Sequence, residues 1–88
     1  MDNKFIEHLI MKAQKNIRKA AIEIGAIGQN NKKDITHFIN VCHSMGKYHA
    51  YMDILKDFSM DDFIKCNERN KEYVNKALDG VEKLYKIV

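Results

Sequence analysis

The sequence predicts an all-α protein, an antiparallel up-down-up bundle of three helices that is completed by dimerisation. Apolar residues recur at intervals of three and four through most of the 88 residues, which is the period of helices with one buried side. The chain has no proline and only 4 glycines, so few positions interrupt a helix. We expect one domain over 1–88, and self-association, because a chain this short buries only about 60% of its unfolded surface.

Helix 1 is predicted over about residues 3–27. Its apolar stripe alternates steps of four and three along Ile6, Ile10, Ala13, Ile17, Ala20, Ile24 and Ile27. Gly25, Gly28, Asn30 and Asn31 tolerate a left-handed backbone, so they indicate the C-terminal end of the helix and a turn.

Helix 2 is predicted over about residues 33–57, with Asn31 or Asp34 as N-cap. Its stripe continues the steps of three and four along Ile35, Phe38, Cys42, Met45, His49 and Met52. Beside that stripe, a second row recurs every seven residues and contains Val41, Tyr48 and Leu55, with Tyr51 further outward. We expect this row to form a contact surface for a partner or a second copy, although the same residues would also fit the flank of a wide core.

Helix 3 is predicted over about residues 60–87. Ser59 and Asp62 resemble a capping box, in which a hydroxyl satisfies free amides of the first turn and an acid lies near the positive end of the helix dipole. The stripe that follows consists of Phe63, Asn67, Asn70, Val74, Ala77, Val81, Leu84 and Val88.

Polar residues on these stripes predict a polar layer inside the bundle. A turn near residues 58 and 59 places His49 level with Asn67 and Asn70. One interpretation is a hydrogen-bonded network that fixes helix register, as a buried asparagine does in coiled coils. The alternative is a polar pocket that binds a small ligand.

Charge is concentrated in residues 12–33, which contain six basic residues and one acidic residue, although the net charge of the chain is only +3. Lys4, His8, Lys12, Lys15 and Lys19 line up opposite the apolar stripe of helix 1 and form one basic face. The residues expected to contact a partner or a nucleic acid are Lys4, Lys12, Lys15, Lys19, Lys32 and Lys33. This pattern fits three interpretations: a solvated helix face, a contact for an acidic protein, or a contact for a nucleic-acid backbone. Lysine greatly outnumbers arginine, so a nucleic acid would be bound without sequence specificity.

The spacing of reactive residues predicts neither a metal site nor catalysis. Cys42 and His49 are seven residues apart, roughly 10 Å along a helix, so they cannot share a zinc ion. Residues 43–47 resemble the phosphoacceptor stretch of histidine phosphotransfer domains, but Gly46 and Lys47 stand in the reverse order, and the chain has little length for the fourth helix of that family. We expect no cofactor, and free thiols at Cys42 and Cys66.

These features favour a non-enzymatic interaction protein, an inhibitor or adaptor that docks on a host or defence protein. The abundance of lysine, asparagine and isoleucine, whose codons are AT-rich, is typical of phage and mobile-element accessory proteins. The alternatives are a nucleic-acid backbone binder and a small-ligand binder or sponge. We expect a cytoplasmic location, because no stretch approaches roughly 18 apolar residues and the N-terminus lacks the apolar run of a signal peptide.

Overall fold

The structure is a computed structural model that describes residues 3–30 and 35–85. Within these ranges it consists of three helices, α1 (Asn3–Asn30), α2 (Ile35–Phe58) and α3 (Met60–Tyr85), which pack against one another without any strand. The structure measures 46 × 20 × 18 Å, and its longest dimension is close to the length of one of its helices. The prediction of an all-α, three-helix fold is therefore confirmed.

The helix boundaries agree with the predicted ones to within three residues, and the largest difference is at the end of α1. This helix continues to Asn30 and contains Gly25, which was predicted to indicate its end. A glycine inside a helix costs only about 1 kcal/mol relative to alanine, so it weakens a helix without ending it. Buried Ile24, directly before Gly25, holds this part of α1 against the core.

A single residue, Ser59, separates α2 from α3. Its hydroxyl accepts a hydrogen bond from the Asp62 amide at 3.3 Å and donates one to the Asp62 carboxylate at 2.8 Å. The backbone amide of Ser59 still donates to the Leu55 carbonyl, at 2.7 Å. The predicted pairing of Ser59 with Asp62 is present, and it begins α3 without a glycine or proline.

The core draws most of its apolar side chains from α1 and α2. Its buried members are Leu9, Ala13, Ile17, Ala20, Ile24, Val41, Tyr48, Met52, Leu55, Cys66 and Ala77. In α1 the predicted stripe is buried at Ala13, Ile17, Ala20 and Ile24. Its first members, Ile6 and Ile10, are half-buried, and Leu9, which was not predicted, is buried beside them. The side chain of Ile27, also predicted for this stripe, lies outside the described residues.

The predicted orientation of α2 is wrong by about one residue. Val41, Tyr48 and Leu55, expected on an outer contact face or at the flank of a wide core, are buried, whereas Cys42 and His49, expected inside, are exposed. Met52 of the predicted stripe is buried as expected. Successive residues of a helix are 100° apart, so moving the buried stripe by one position turns the whole helix. The sequence left this orientation open because apolar residues occur on every side of α2.

The predicted stripe of α3 is correct at Asn70 and Ala77 and wrong at Asn67. Asn67 is exposed, and its neighbour Cys66 is buried in its place. Val74 and Val81 are half-buried and pack against the core. The side chains of the last predicted stripe members, Leu84 and Val88, lie outside the described residues.

Two side-chain contacts join α1 and α2. The ring of Phe5, near the start of α1, meets the ring of Phe58, the last residue of α2, edge to face with centroids 5.2 Å apart. Near the end of α1, Glu23 Oε1 lies 2.6 Å from Nδ1 of His37, in the first turn of α2. These two contacts fix the register of the pair.

Contacts between α1 and α3 include one very close approach. The Arg18 guanidinium lies over the Tyr73 ring, 5.3 Å from its centroid. Further along, Gly80 faces the buried side chain of Ile24, and a Cβ atom added at Gly80 would overlap Ile24 Cγ2. The absence of a side chain at Gly80 therefore allows α1 and α3 to pack this closely.

Two glycine substitutions are expected to change stability in opposite directions. Gly46→Ala should raise the free energy of unfolding by about 0.5–1 kcal/mol, because its Cβ would meet no atom within 4 Å and alanine favours the helix. Gly80→Ala should lower it by about 1–2 kcal/mol, because overpacking against Ile24 outweighs the same helical gain. Urea denaturation of both variants measures these effects. A stabilising Gly80→Ala variant would contradict the close approach of α1 and α3.

Candidate functional site

The outward side of α1 carries exposed apolar residues between basic ones. Met11 is 58% exposed and Ile22 is 71% exposed, and they lie three helical turns apart, about 16 Å. Together with Lys15, Arg18 and Lys19 they line a shallow hollow of about 520 Å³, to which Gln14 and Glu23 also contribute. We call Met11, Lys15, Arg18, Lys19 and Ile22 the α1 strip.

A second feature, the lysine cleft, lies between α1 and α2. It has a volume of about 170 Å³ and is lined by Lys12, Lys15, Asn16, Lys19, Lys47 and Tyr51. The Asn16 amide nitrogen donates to the Lys12 carbonyl at 2.8 Å, which holds the asparagine side chain against its own helix. Because Lys15 and Lys19 also belong to the α1 strip, the two features form one continuous surface around α1.

A polar hollow continues the lysine cleft along the groove between α1 and α2. It has a volume of about 150 Å³ and is lined by Lys19, Glu23, Asn40, His43 and Ser44. Glu23 is the acidic residue in this lining, and its carboxylate is held by the ring of His37 at 2.6 Å. This part of α2 is the stretch that resembles a phosphoacceptor sequence. In the structure its histidine, His43, is exposed, and the neighbouring Ser44 is buried.

The structure places the predicted basic residues at the surface. Lys4, Lys15 and Lys19 are exposed and Lys12 is half-buried, whereas Lys32 and Lys33 lie outside the described residues. Sequence reasoning missed Lys47, which faces the same cleft from α2. It could have been found only by knowing which side of α2 faces α1.

The predicted contact row on α2 offers little surface to a partner in this structure. Val41 and Leu55 have no exposed area and Tyr48 is 2% exposed, because all three pack in the core. Tyr51 is half-buried and lines the lysine cleft. The wrong orientation of α2 accounts for both differences.

The predicted polar layer of His49, Asn67 and Asn70 is wrong at two of its three members. His49 and Asn67 are exposed, and only Asn70 is fully buried. The Asn70 amide nitrogen donates to the Cys66 carbonyl at 3.0 Å and approaches Cys66 Sγ at 3.3 Å. Tyr48 is buried in the same core cluster as Cys66 and lies close enough to interact with it electrostatically, so we treat Tyr48, Cys66 and Asn70 as one buried polar group.

Two polar atoms of this buried group, the Tyr48 hydroxyl and Asn70 Oδ1, have no hydrogen-bond partner among the described residues. Burial raises the pKa of the Tyr48 hydroxyl, and nearby Cys66 raises it further. Burial also raises the pKa of the Cys66 thiol, while the hydrogen bond from Asn70 partly opposes that shift. Both groups are therefore held in their neutral forms, which suits packing better than nucleophilic chemistry.

These raised pKa values predict that the protein loses stability in alkaline solution. An acid with a higher pKa in the folded state favours folding fully below its unfolded-state pKa, and this contribution is lost as pH rises. For Cys66 the loss should begin near pH 8.5, with a slope of at most about 1.4 kcal/mol per pH unit. Urea denaturation between pH 7 and 9.5 measures it. Cys66→Ala should remove the dependence of the free energy of unfolding on pH, whereas Cys42→Ala, at the exposed cysteine, should keep it. A pH dependence that survives Cys66→Ala would contradict its assignment to Cys66.

No group of three His, Cys, Asp or Glu side chains in the described ranges is placed to hold a metal ion. Cys42 and Cys66 are both free thiols, the first exposed and the second buried. Among the helices of residues 3–30 and 35–85, none combines the length and apolar character that crossing a membrane requires. The surface features with the clearest chemistry are thus the α1 strip and the lysine cleft.

Comparison with known proteins gives no relative: no family model matches the chain, and no curated protein or solved structure matches it either.

Proposed function

We propose that this chain is a small non-enzymatic interaction protein, an inhibitor or adaptor that docks through the α1 strip on an acidic surface of a protein partner. The observation that carries the proposal is the exposure of Met11 and Ile22 next to Lys15 and Lys19. Covering methionine and other large apolar side chains with a partner lowers the free energy of the complex. The flanking cations select an acidic partner and speed its approach. A host or defence protein in the cytoplasm is the partner class that we expect.

A protein partner explains the apolar residues of the α1 strip better than a nucleic acid does. Contacts with phosphates require only cations and polar donors, so two apolar side chains that are more than half exposed would add little to them. On a protein, the same side chains can enter apolar pockets and exclude water from the neighbouring ion pairs. The combination of both kinds of residue on one helix face is what a docking surface needs.

The docking experiment compares three forms of the protein as bait in a host lysate. Wild type and Ile39→Ser, which changes an exposed isoleucine on α2, should retain the same protein in stoichiometric amount. Ile22→Ser should lose it while keeping its helical circular dichroism. If Ile22→Ser retains the partner, or if the retained molecule is a nucleic acid that nuclease removes, the proposed docking surface is wrong.

Binding to a nucleic-acid backbone is the second candidate function. The specific observation in its favour is that Lys12, Lys15 and Lys19 lie together on one side of α1. Changing all three to glutamate should abolish oligonucleotide binding at low salt, and binding by the unmodified protein should weaken steeply as salt rises. If oligonucleotide binding is unaffected by the triple substitution and by rising salt, this candidate function is wrong.

The arrangement that we propose for the helices is an antiparallel up-down-up bundle. The contacts Phe5 with Phe58 and Glu23 with His37 support opposite directions for α1 and α2. The order of the contacts from α1 to α3, Arg18 with Tyr73 and then Ile24 opposite Gly80, supports a common direction for those two helices.

We also propose that the bundle forms a homodimer, through a surface other than the buried row on α2. The exposed residues Phe5, Ile54 and Phe58 lie where the start of α1 meets the end of α2, and they supply apolar area for a second copy. Light scattering at tens of micromolar should give the mass of a dimer, and Phe58→Asp should give that of a monomer. A wild-type protein that is monomeric at this concentration would contradict the proposal.

A further inference from the structure

The lysine cleft gathers four cationic side chains around a small space. Lys12, Lys15 and Lys19 from α1 and Lys47 from α2 line its volume of about 170 Å³, and none of the described residues in the lining carries a carboxylate. Since one water occupies about 30 Å³ in the liquid, the cleft has room for a small tetrahedral anion. Like charges that line one cleft repel one another, so an anion bound between them lowers the energy of the folded chain.

The neighbouring acidic group lies outside the lining of the cleft. Glu23 lies in the adjoining hollow, which shares Lys19 with the cleft, and its carboxylate is engaged by His37 Nδ1 at 2.6 Å. Asn16 and Tyr51 complete the wall of the cleft with neutral polar groups, and the tyrosine hydroxyl can donate a hydrogen bond. The cleft thus combines positive charge with hydrogen-bond donors from two helices.

We infer that the lysine cleft binds a phosphate group, either in a free phosphate compound or in the backbone of a polynucleotide. A phosphate group offers several acceptor oxygens and, as a monoester or free ion, up to two negative charges. It can therefore accept hydrogen bonds from several lysines at once, whereas a carboxylate has two oxygens and a single charge. The inference does not rest on docking through Met11 and Ile22, because neither residue lines the cleft.

Inorganic phosphate is the first probe, titrated at constant ionic strength with chloride as the reference anion. Amide resonances of the full chain should show saturable shifts that are confined to the residues around the cleft. Lys47→Gln should weaken the affinity about tenfold, the effect of losing one charge-assisted hydrogen bond. Lys71→Gln makes the same change of charge at an exposed position on α3 and should leave the affinity unchanged.

A single-stranded oligonucleotide is the second probe, and it distinguishes the two sources of phosphate. If the natural ligand is a polynucleotide, the oligonucleotide binds more tightly than inorganic phosphate and its affinity falls linearly with salt on a double-logarithmic plot. If it binds no more tightly, the ligand is a free phosphate compound.

Two outcomes would overturn the phosphate site. One is that neither probe gives saturable shifts; the other is that Lys47→Gln and Lys71→Gln weaken binding equally, which would show diffuse attraction to a positive surface. Ile22→Ser separates this test from the docking proposal. That variant should bind phosphate as wild type does, whether or not it retains a protein partner.

Discussion

Leu55→Ala is expected to lower the free energy of unfolding by about 2–5 kcal/mol, while Ile54→Ala, one residue earlier, lowers it by less than about 1 kcal/mol. Leu55 has no exposed area and packs in the core, so its truncation leaves a cavity as well as losing buried apolar surface. Ile54 is 41% exposed, and much of its side chain is already in water. Two aliphatic residues adjacent in the sequence therefore give very different results.

Urea denaturation followed by far-UV circular dichroism measures both variants. A total stability of only about 5–15 kcal/mol is usual for a domain, so Leu55→Ala can unfold the chain. Leu55→Val removes a single methylene and should cost about 1 kcal/mol, which keeps the comparison measurable. An equal loss of stability at the two positions, or a larger loss at Ile54, would instead support the orientation of α2 that places Leu55 on the outside.

The orientation of α1 could be predicted from the sequence, and that of α2 could not, because the two helices differ in the contrast between their sides. In α1, most isoleucine and alanine residues occupy one side and the lysines the other, with Ile22 as an exposed exception, and this contrast places Ile17 and Ala20 inward. In α2, steps of three and four fit both Cys42 with His49 and Val41 with Tyr48. Only the packing of α2 against its neighbours decides between these two stripes, and that packing depends on residues distant in the sequence.

The same limit explains which half of the candidate site was predicted. Lys12, Lys15 and Lys19 share one helix face, and their spacing alone places them together. Lys47 and Tyr51 join them from α2, and this requires the orientation of that helix relative to α1. The sequence therefore predicted a basic face, whereas the cleft became visible only with the fold.

Asn70→Asp is expected to have the largest effect of any single substitution considered for the buried polar group. The Asn70 amide nitrogen donates to the Cys66 carbonyl at 3.0 Å, and the side chain has no exposed area. An ionised aspartate would replace that donor by a charged oxygen facing the carbonyl, and no described residue supplies a counter-ion within hydrogen-bond contact. The expected loss at pH 7 is about 3–5 kcal/mol, the usual cost of an uncompensated buried charge.

Asn67→Asp is the matched control, because it makes the same change three residues earlier on the exposed side of α3. Its effect should stay below about 0.5 kcal/mol. The comparison distinguishes the layer that the structure shows, with Tyr48, Cys66 and Asn70, from the predicted layer with His49 and Asn67. Similar losses from both substitutions would favour the predicted layer.

The pH dependence of the Asn70→Asp variant identifies charge as the cause of its instability. Burial should raise the pKa of the new carboxyl above the unfolded value of about 3.9, so its penalty is absent below that pH and grows as pH rises. Once protonated, the carboxyl can again donate to the Cys66 carbonyl, as the amide does. Urea denaturation of Asn70→Asp and of wild type from pH 3 to 7 should therefore give a difference in the free energy of unfolding that shrinks toward acid pH. A difference that does not depend on pH would indicate a steric effect, and it would contradict full burial without a counter-ion.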